Sequence, residues 1–148
     1  MTVRKQRPER RSGCPIAISL DLFGDKWSLL IVRDLLFQRP RSYRDFAEAA
    51  EGIATNILAD RLAKLEIAGI ISRVPDPEDG RKVLYGLTEK GLALAPVMAE
   101  MGRWAVTWEK TAAPDEVARR IRTDPEGFVA RLTKSWEGGN LGSIRLVP

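Results

Sequence analysis

Apolar and polar positions along the chain fall into a helical period first, then a strand period, then a helical one again. Pro15 opens the first helical stretch, where its missing N–H costs no hydrogen bond. Ile16, Leu20 and Phe23 follow at helical spacing, and Gly24 stands as a terminator. Asp25 is placed to cap a second helix whose apolar face is Trp27, Leu30, Ile31 and Leu35, stopped at Arg39-Pro40. Ser42 caps a short third helix with Asp45 three residues on, a variant of the capping box, and Phe46 and Ala50 face inward. Glu51-Gly52 reads as a turn. A fourth helix runs from about Thr55 to Ala68, with Leu58, Leu62 and Leu65 as its buried stripe and Gly69 as its end.

At Ile70 the period changes. Ile70–Val74 is apolar and partly β-branched, 75–80 is rich in Pro, Asp and Gly, and Val83, Tyr85 and Leu87 alternate as a returning strand. This predicts a hairpin with a charged tip. Thr88 caps a long fifth helix in which Leu94, Val97, Met101, Trp104 and Trp108 recur with heptad-like steps, and Pro96 should kink it near its start. Beyond Ala113-Pro114, one or two amphipathic helices are anchored by Val117, Ile121, Phe128, Leu132 and Trp136, and the stretch from Gly138 reads as a loose tail. The expected fold is mainly α with a small β-hairpin wing (α+β): a winged helix-turn-helix with dimerising terminal helices. Its expected divisions are a basic, flexible arm at 1–13, the winged domain at 14–110 and a helical extension with a loose tail at 111–148.

Charge refines this picture. The net charge is +4, and the first eleven residues account for it through Arg4, Lys5, Arg7, Arg10 and Arg11 against Glu9. The basic feature is therefore an arm, suited to phosphate contact or simply solvated. There is no histidine and only one cysteine, which excludes His-based triads and His-metal sites and allows no disulfide within the chain. No phosphate loop and no carboxylate pair at metal-ligand spacing is present, so an enzyme, a cofactor or a metal is not expected. No apolar run reaches the ~18 residues of a membrane helix, and no apolar stretch follows the basic N-terminus, so neither membrane nor secretion is expected. A single cysteine fits a reducing cytoplasm.

The order of helices and hairpin carries the functional reading. The major groove of DNA admits an α-helix, and a wing can reach the adjacent minor groove. On the fourth helix Thr55, Asn56, Ala59, Asp60 and Ala63 lie off the leucine stripe. Asn56 is suited to adenine, Thr55 to a base edge or phosphate, and Ala59 permits close approach. Ser42, Tyr43, Arg44, Arg61 and Lys64 are candidates for phosphate, and Arg81 and Lys82 for the wing contact. Asp76, Glu78 and Asp79 at the same tip repel phosphate. They favour the alternative, a dimeric ligand-sensing or partner-binding winged helix that does not bind DNA. The seam of Leu94, Val97, Met101, Trp104 and Trp108, joined by Ile16 and Leu20 of the first helix and by the C-terminal helices, predicts a two-fold homodimer.

Several motifs in order extend this reading: Cys14-Pro15, Leu22-Phe23-Gly24-Asp25-Lys26-Trp27, Gly52-Ile53-Ala54, Leu58-Ala59-Asp60-Arg61-Leu62 and Tyr85-Gly86-Leu87-Thr88-Glu89-Lys90-Gly91. Over roughly residues 14–108 the chain resembles the HxlR-type winged-helix regulators, relatives of the MarR group. The resemblance implies a homodimeric bacterial transcriptional regulator on a pseudo-palindromic operator in double-stranded DNA. Family members often begin the recognition helix with Ser or Thr. Here Ala54 stands at that point, and Thr55 is expected to take the capping role. In some relatives a cysteine at the place of Cys14 senses oxidants or electrophiles. The helix start and the nearby Arg10 and Arg11 favour a thiolate there. A redox-sensing Cys14, a small-molecule effector and an inert cysteine all remain open.

Overall fold

The computed structural model describes residues 10, 12–38, 40–49 and 51–137. Most of the basic arm, Arg11, Arg39, Ala50 and the chain from Gly138 onward lie outside the described residues. The elements run α1 (Pro15–Phe23), α2 (Lys26–Phe37), α3 (Tyr43–Ala47), α4 (Thr55–Ile67), β1 (Ile71–Pro75), β2 (Val83–Leu87), α5 (Glu89–Leu92), α6 (Ala95–Trp108), α7 (Asp115–Thr123) and α8 (Pro125–Glu137).

Local chemistry sets most of these boundaries. The Asp25 carboxylate accepts the Ser28 N–H at 3.0 Å and the Ser28 hydroxyl at 2.6 Å, which starts α2. Ser42 and Asp45 exchange hydrogen bonds as a full capping box. Gly69, at φ 71°, takes the left-handed turn that ends α4. Gly24 has an ordinary φ of −71°, and its need is space: a Cβ there would lie 2.5 Å from the Leu20 carbonyl oxygen. The core joins Val32, Leu35 and Leu36 of α2 to Leu58, Leu62 and Leu65 of α4 and to Phe46, Ile70 and Ile71. Each such side chain contributes about 1.5–3 kcal/mol on burial. Trp27 and Leu30, expected on the inner face of α2, are only half-buried.

The hairpin is antiparallel, with Ile71 opposite Leu87 and Pro75 opposite Val83, so β1 begins one residue later than expected. Arg41 adds a bridge on the other side of β2, exchanging backbone hydrogen bonds with Tyr85 at 3.0 and 2.7 Å. Periodicity gave no sign of that third strand segment.

Four expectations for the chain beyond the hairpin require correction. The long fifth helix is two helices, α5 and α6, broken at Ala93–Leu94. Pro96 sits in the first turn of α6, where no hydrogen bond is lost, and does not kink it. Leu94, assigned to the dimer seam, is 9% exposed and belongs to the core of its own chain. The C-terminal helices also turn inward: α7 and α8 pack on α6, α8 reaches α2, and Ile121, Phe128 and Leu132 are buried. No helix among the described residues is long and apolar enough to cross a membrane.

Candidate nucleic-acid interface

The start of α4 is bare. Ala54 is the N-cap and supplies no side-chain hydrogen bond. Thr55 is therefore the first helical residue and not the expected cap. Thr55, Asn56 and Ala59 are exposed on the side away from Leu58, Leu62 and Leu65. The Tyr43 hydroxyl donates to the Thr55 carbonyl oxygen at 2.8 Å, which fixes α3 against the beginning of α4. Ser42 is half-buried in its capping box, and Arg44 lies in solvent, paired with Glu48 at 2.7 Å. The hydrogen bond and charge of Glu48 raise the Arg44 pKa. Burial pushes the Asp45 carboxyl up, but its bonds from Ser42 outweigh that and hold it below the usual range.

Arg61 is placed differently. Its guanidinium donates to Asp25 at 2.8 Å and also to Asp60, and only 25% of the side chain is exposed. Lys64 pairs with Asp60 at 3.0 Å but keeps most of its surface in water. At the wing, the acids that oppose phosphate also build the turn. The Asp76 carboxylate accepts the Glu78 N–H at 2.8 Å, and Asp79 accepts the Arg81 N–H at 3.1 Å. Arg81 projects from this tip with its side chain 93% exposed, touching Asp79 at 3.2 Å, and Lys82 is exposed beside it.

Sequence reasoning missed the charged link beneath this surface. Asp34, 5% exposed, takes Arg33 at 2.7 Å and Arg41 at 3.0 Å, and Arg33 also takes Glu51 at 2.6 Å. This joins α2 to the strand segment beside the wing and to the turn before α4. A signal was present: an acid among the apolar positions of α2 requires partners if it is buried. Among the described residues no cluster of Cys, Asp and Glu could hold a metal ion.

The helices and hairpin form the winged helix-turn-helix of transcriptional regulators, and residues 22–113 match the HxlR-like helix-turn-helix family. The chain belongs to that family. It is 39% identical to the transcriptional regulator YodB of Bacillus subtilis over 93 residues, 62% of this chain and 82% of YodB. The reduced form of YodB superposes with a TM-score of 0.55 at 36% identity, covering 66% of this chain and 95% of that one. The redox regulator HypR in its oxidised form gives 0.58 at 27% identity, covering 66% of this chain and 100% of HypR. In this HxlR-like protein Cys14 is the N-cap of α1. It is exposed, and its backbone N–H donates to the Ser12 hydroxyl at 3.0 Å.

Proposed function

We propose that this HxlR-like regulator acts as a homodimer on a pseudo-palindromic operator, by binding rather than catalysis, in the cytoplasm where its DNA lies. The observation that supports this most is the leading face of α4. Thr55 and Asn56 are exposed there, and neither side chain has a hydrogen-bond partner among the described residues. In this reading Thr55 and Asn56 read bases and Ala59 allows approach. Ser42, Tyr43, Arg44 and Lys64 hold phosphate, and Arg81 and Lys82 make the wing contact. The body at 14–110 carries these groups between the basic arm at 1–13 and the extension at 111–148.

Dimerisation uses Val97, Met101, Trp104 and Trp108 of α6 with Ile16 and Leu20 of α1, all exposed and apolar. Two copies then present two α4 helices one DNA turn apart, about 34 Å. An oxidant acting through Cys14, or a small molecule, serves as effector. HypR is named a redox regulator, and YodB is solved in quinone-bound form.

The test is selection of bound duplex from a random pool. Two half-sites about one turn apart are expected. Asn56→Ala should then cost about 1–3 kcal/mol on the selected site and relax specificity. Recovery of no duplex would favour the second reading, a partner-binding winged helix, for which the acids at the wing tip speak.

A further inference from the structure

We infer that Arg61 is a positioning residue for DNA reading, which keys α4 to the corner between α1 and α2 instead of holding a phosphate. The inference rests on the DNA-binding reading above.

Three helices meet at Asp25. It is the N-cap of α2, and both of its carboxylate oxygens are engaged: Oδ1 by the Ser28 N–H and Arg61 Nε, Oδ2 by the Ser28 hydroxyl. Ser28 is itself buried, so the carboxylate is fixed on a rigid mount. Only Gly24 and Asp25 separate α1 from α2, and at Gly24 a side chain would collide with the Leu20 carbonyl. Helix α1 buries no residue of its own and rests against α4. Arg61 is the α4 side chain that closes this corner.

The electrostatics oppose a phosphate role. A phosphate at Arg61 would face the negative charges of both Asp25 and Asp60, and Arg61 would have to leave two ion pairs to reach it. Lys64, one turn on, is the exposed cation of the same helix. A fork held by two carboxylates fixes direction as well as distance, because the guanidinium is planar. Turning α1 at its corner therefore moves the carboxylate that sets the angle of α4.

The experiment compares Asp25→Asn, Arg61→Lys, Arg61→Gln and the Asp25→Asn/Arg61→Gln double variant with the parent chain. Binding is measured on the selected duplex and on a scrambled one, across a salt series. Asn keeps the cap of α2 while removing the charge, so this variant retains the fold. Asp25→Asn and Arg61→Lys should each weaken the selected site roughly 3- to 30-fold. The scrambled duplex and the salt slope should not change, and the double variant should be no worse than the weaker single one. A phosphate role predicts the opposite. Arg61→Lys would then bind like the parent, Arg61→Gln would weaken both duplexes and lower the salt slope by about one, and Asp25→Asn would bind as well or better. That pattern, or no change in any variant, overturns the inference. If the parent chain selects no duplex, the DNA reading fails by itself. The link is then decided by amide exchange in the unbound protein: Asp25→Asn must speed exchange in α1 and the first half of α4 together, and unchanged exchange overturns it.

Discussion

Helix α6 has two apolar faces with different fates. Ala95, Ala99 and Gly102 turn towards the body and the C-terminal helices, and the Ile121 side chain comes within 3.9 Å of where a Gly102 Cβ would stand. Val97, Met101, Trp104 and Trp108 turn the other way and are bare, Trp104 at 59% and Trp108 at 73% exposure. The buried positions of the inner face are small, with Met98 and Val106 partly buried beside them, while both tryptophans of the helix are on the outer face. Small side chains on the inner face let α7 and α8 lie close, while large ones on the outer face offer area to a second helix. An apolar helix position thus says that something will cover it, not what will. For the inner face the cover is this chain's own extension. The HypR and reduced YodB superpositions account for nearly all of those chains but for 66% of this one.

The comparison breaks first at Phe128. Its ring is buried, and its centroid lies 6.0 Å from that of Phe37 at the end of α2. Phe128→Ala should cost about 3–5 kcal/mol in denaturant unfolding. A cost below about 1 kcal/mol would mean that the extension is not part of the core. On the outer face Trp104→Glu should do the reverse. A charge there leaves the protomer's own packing intact and places an anion between two copies. Light scattering at micromolar concentration should move from dimer to monomer, with the helical circular dichroism signal unchanged. A persistent dimer would show that this face covers something other than its copy.

What could be read from the sequence was local. The Ser42 and Asp45 box, the Leu58, Leu62 and Leu65 stripe, Gly69 and the returning strand over Val83–Leu87 each depend on neighbours within a few residues, and all stand in the fold, although burial along that strand rises from an exposed Val83 to a buried Leu87 instead of alternating. What could not be read was long-range. The break before α6 falls in an Ala- and Leu-rich run that favours helix. It coincides with Gly91 lying so close on the Ile70 carbonyl that a Cβ could not fit. Arg61 looked like one more cation on a polar face because its partner Asp25 is 36 residues away. Arg41 gave no strand signal, because a single bridge has no period.

The smallest effect sharpens the comparison most, because it separates packing from direction on the inner side. The Trp136 indole N–H donates to the Leu35 carbonyl oxygen at 3.1 Å. Leu35 is in the last turn of α2, where carbonyls have no following helical N–H to meet. The indole supplies that donor from 101 residues away, and its ring comes within 3.8 Å of where a Gly86 Cβ would stand on β2. Trp136→Phe keeps most of the apolar contact and removes the donor. It should cost about 1–3 kcal/mol, since Leu35 is buried and its carbonyl is left without that donor. Trp136→Ala should cost more, by the ring area returned to water. Amide exchange should quicken at the end of α8 and not in α4. If the Phe variant is as stable as the parent, the extension is held by Phe128 and Leu132 alone. If Phe and Ala cost the same, the hydrogen bond outweighs the ring, and the end of α8 is tied to α2 by one directed contact.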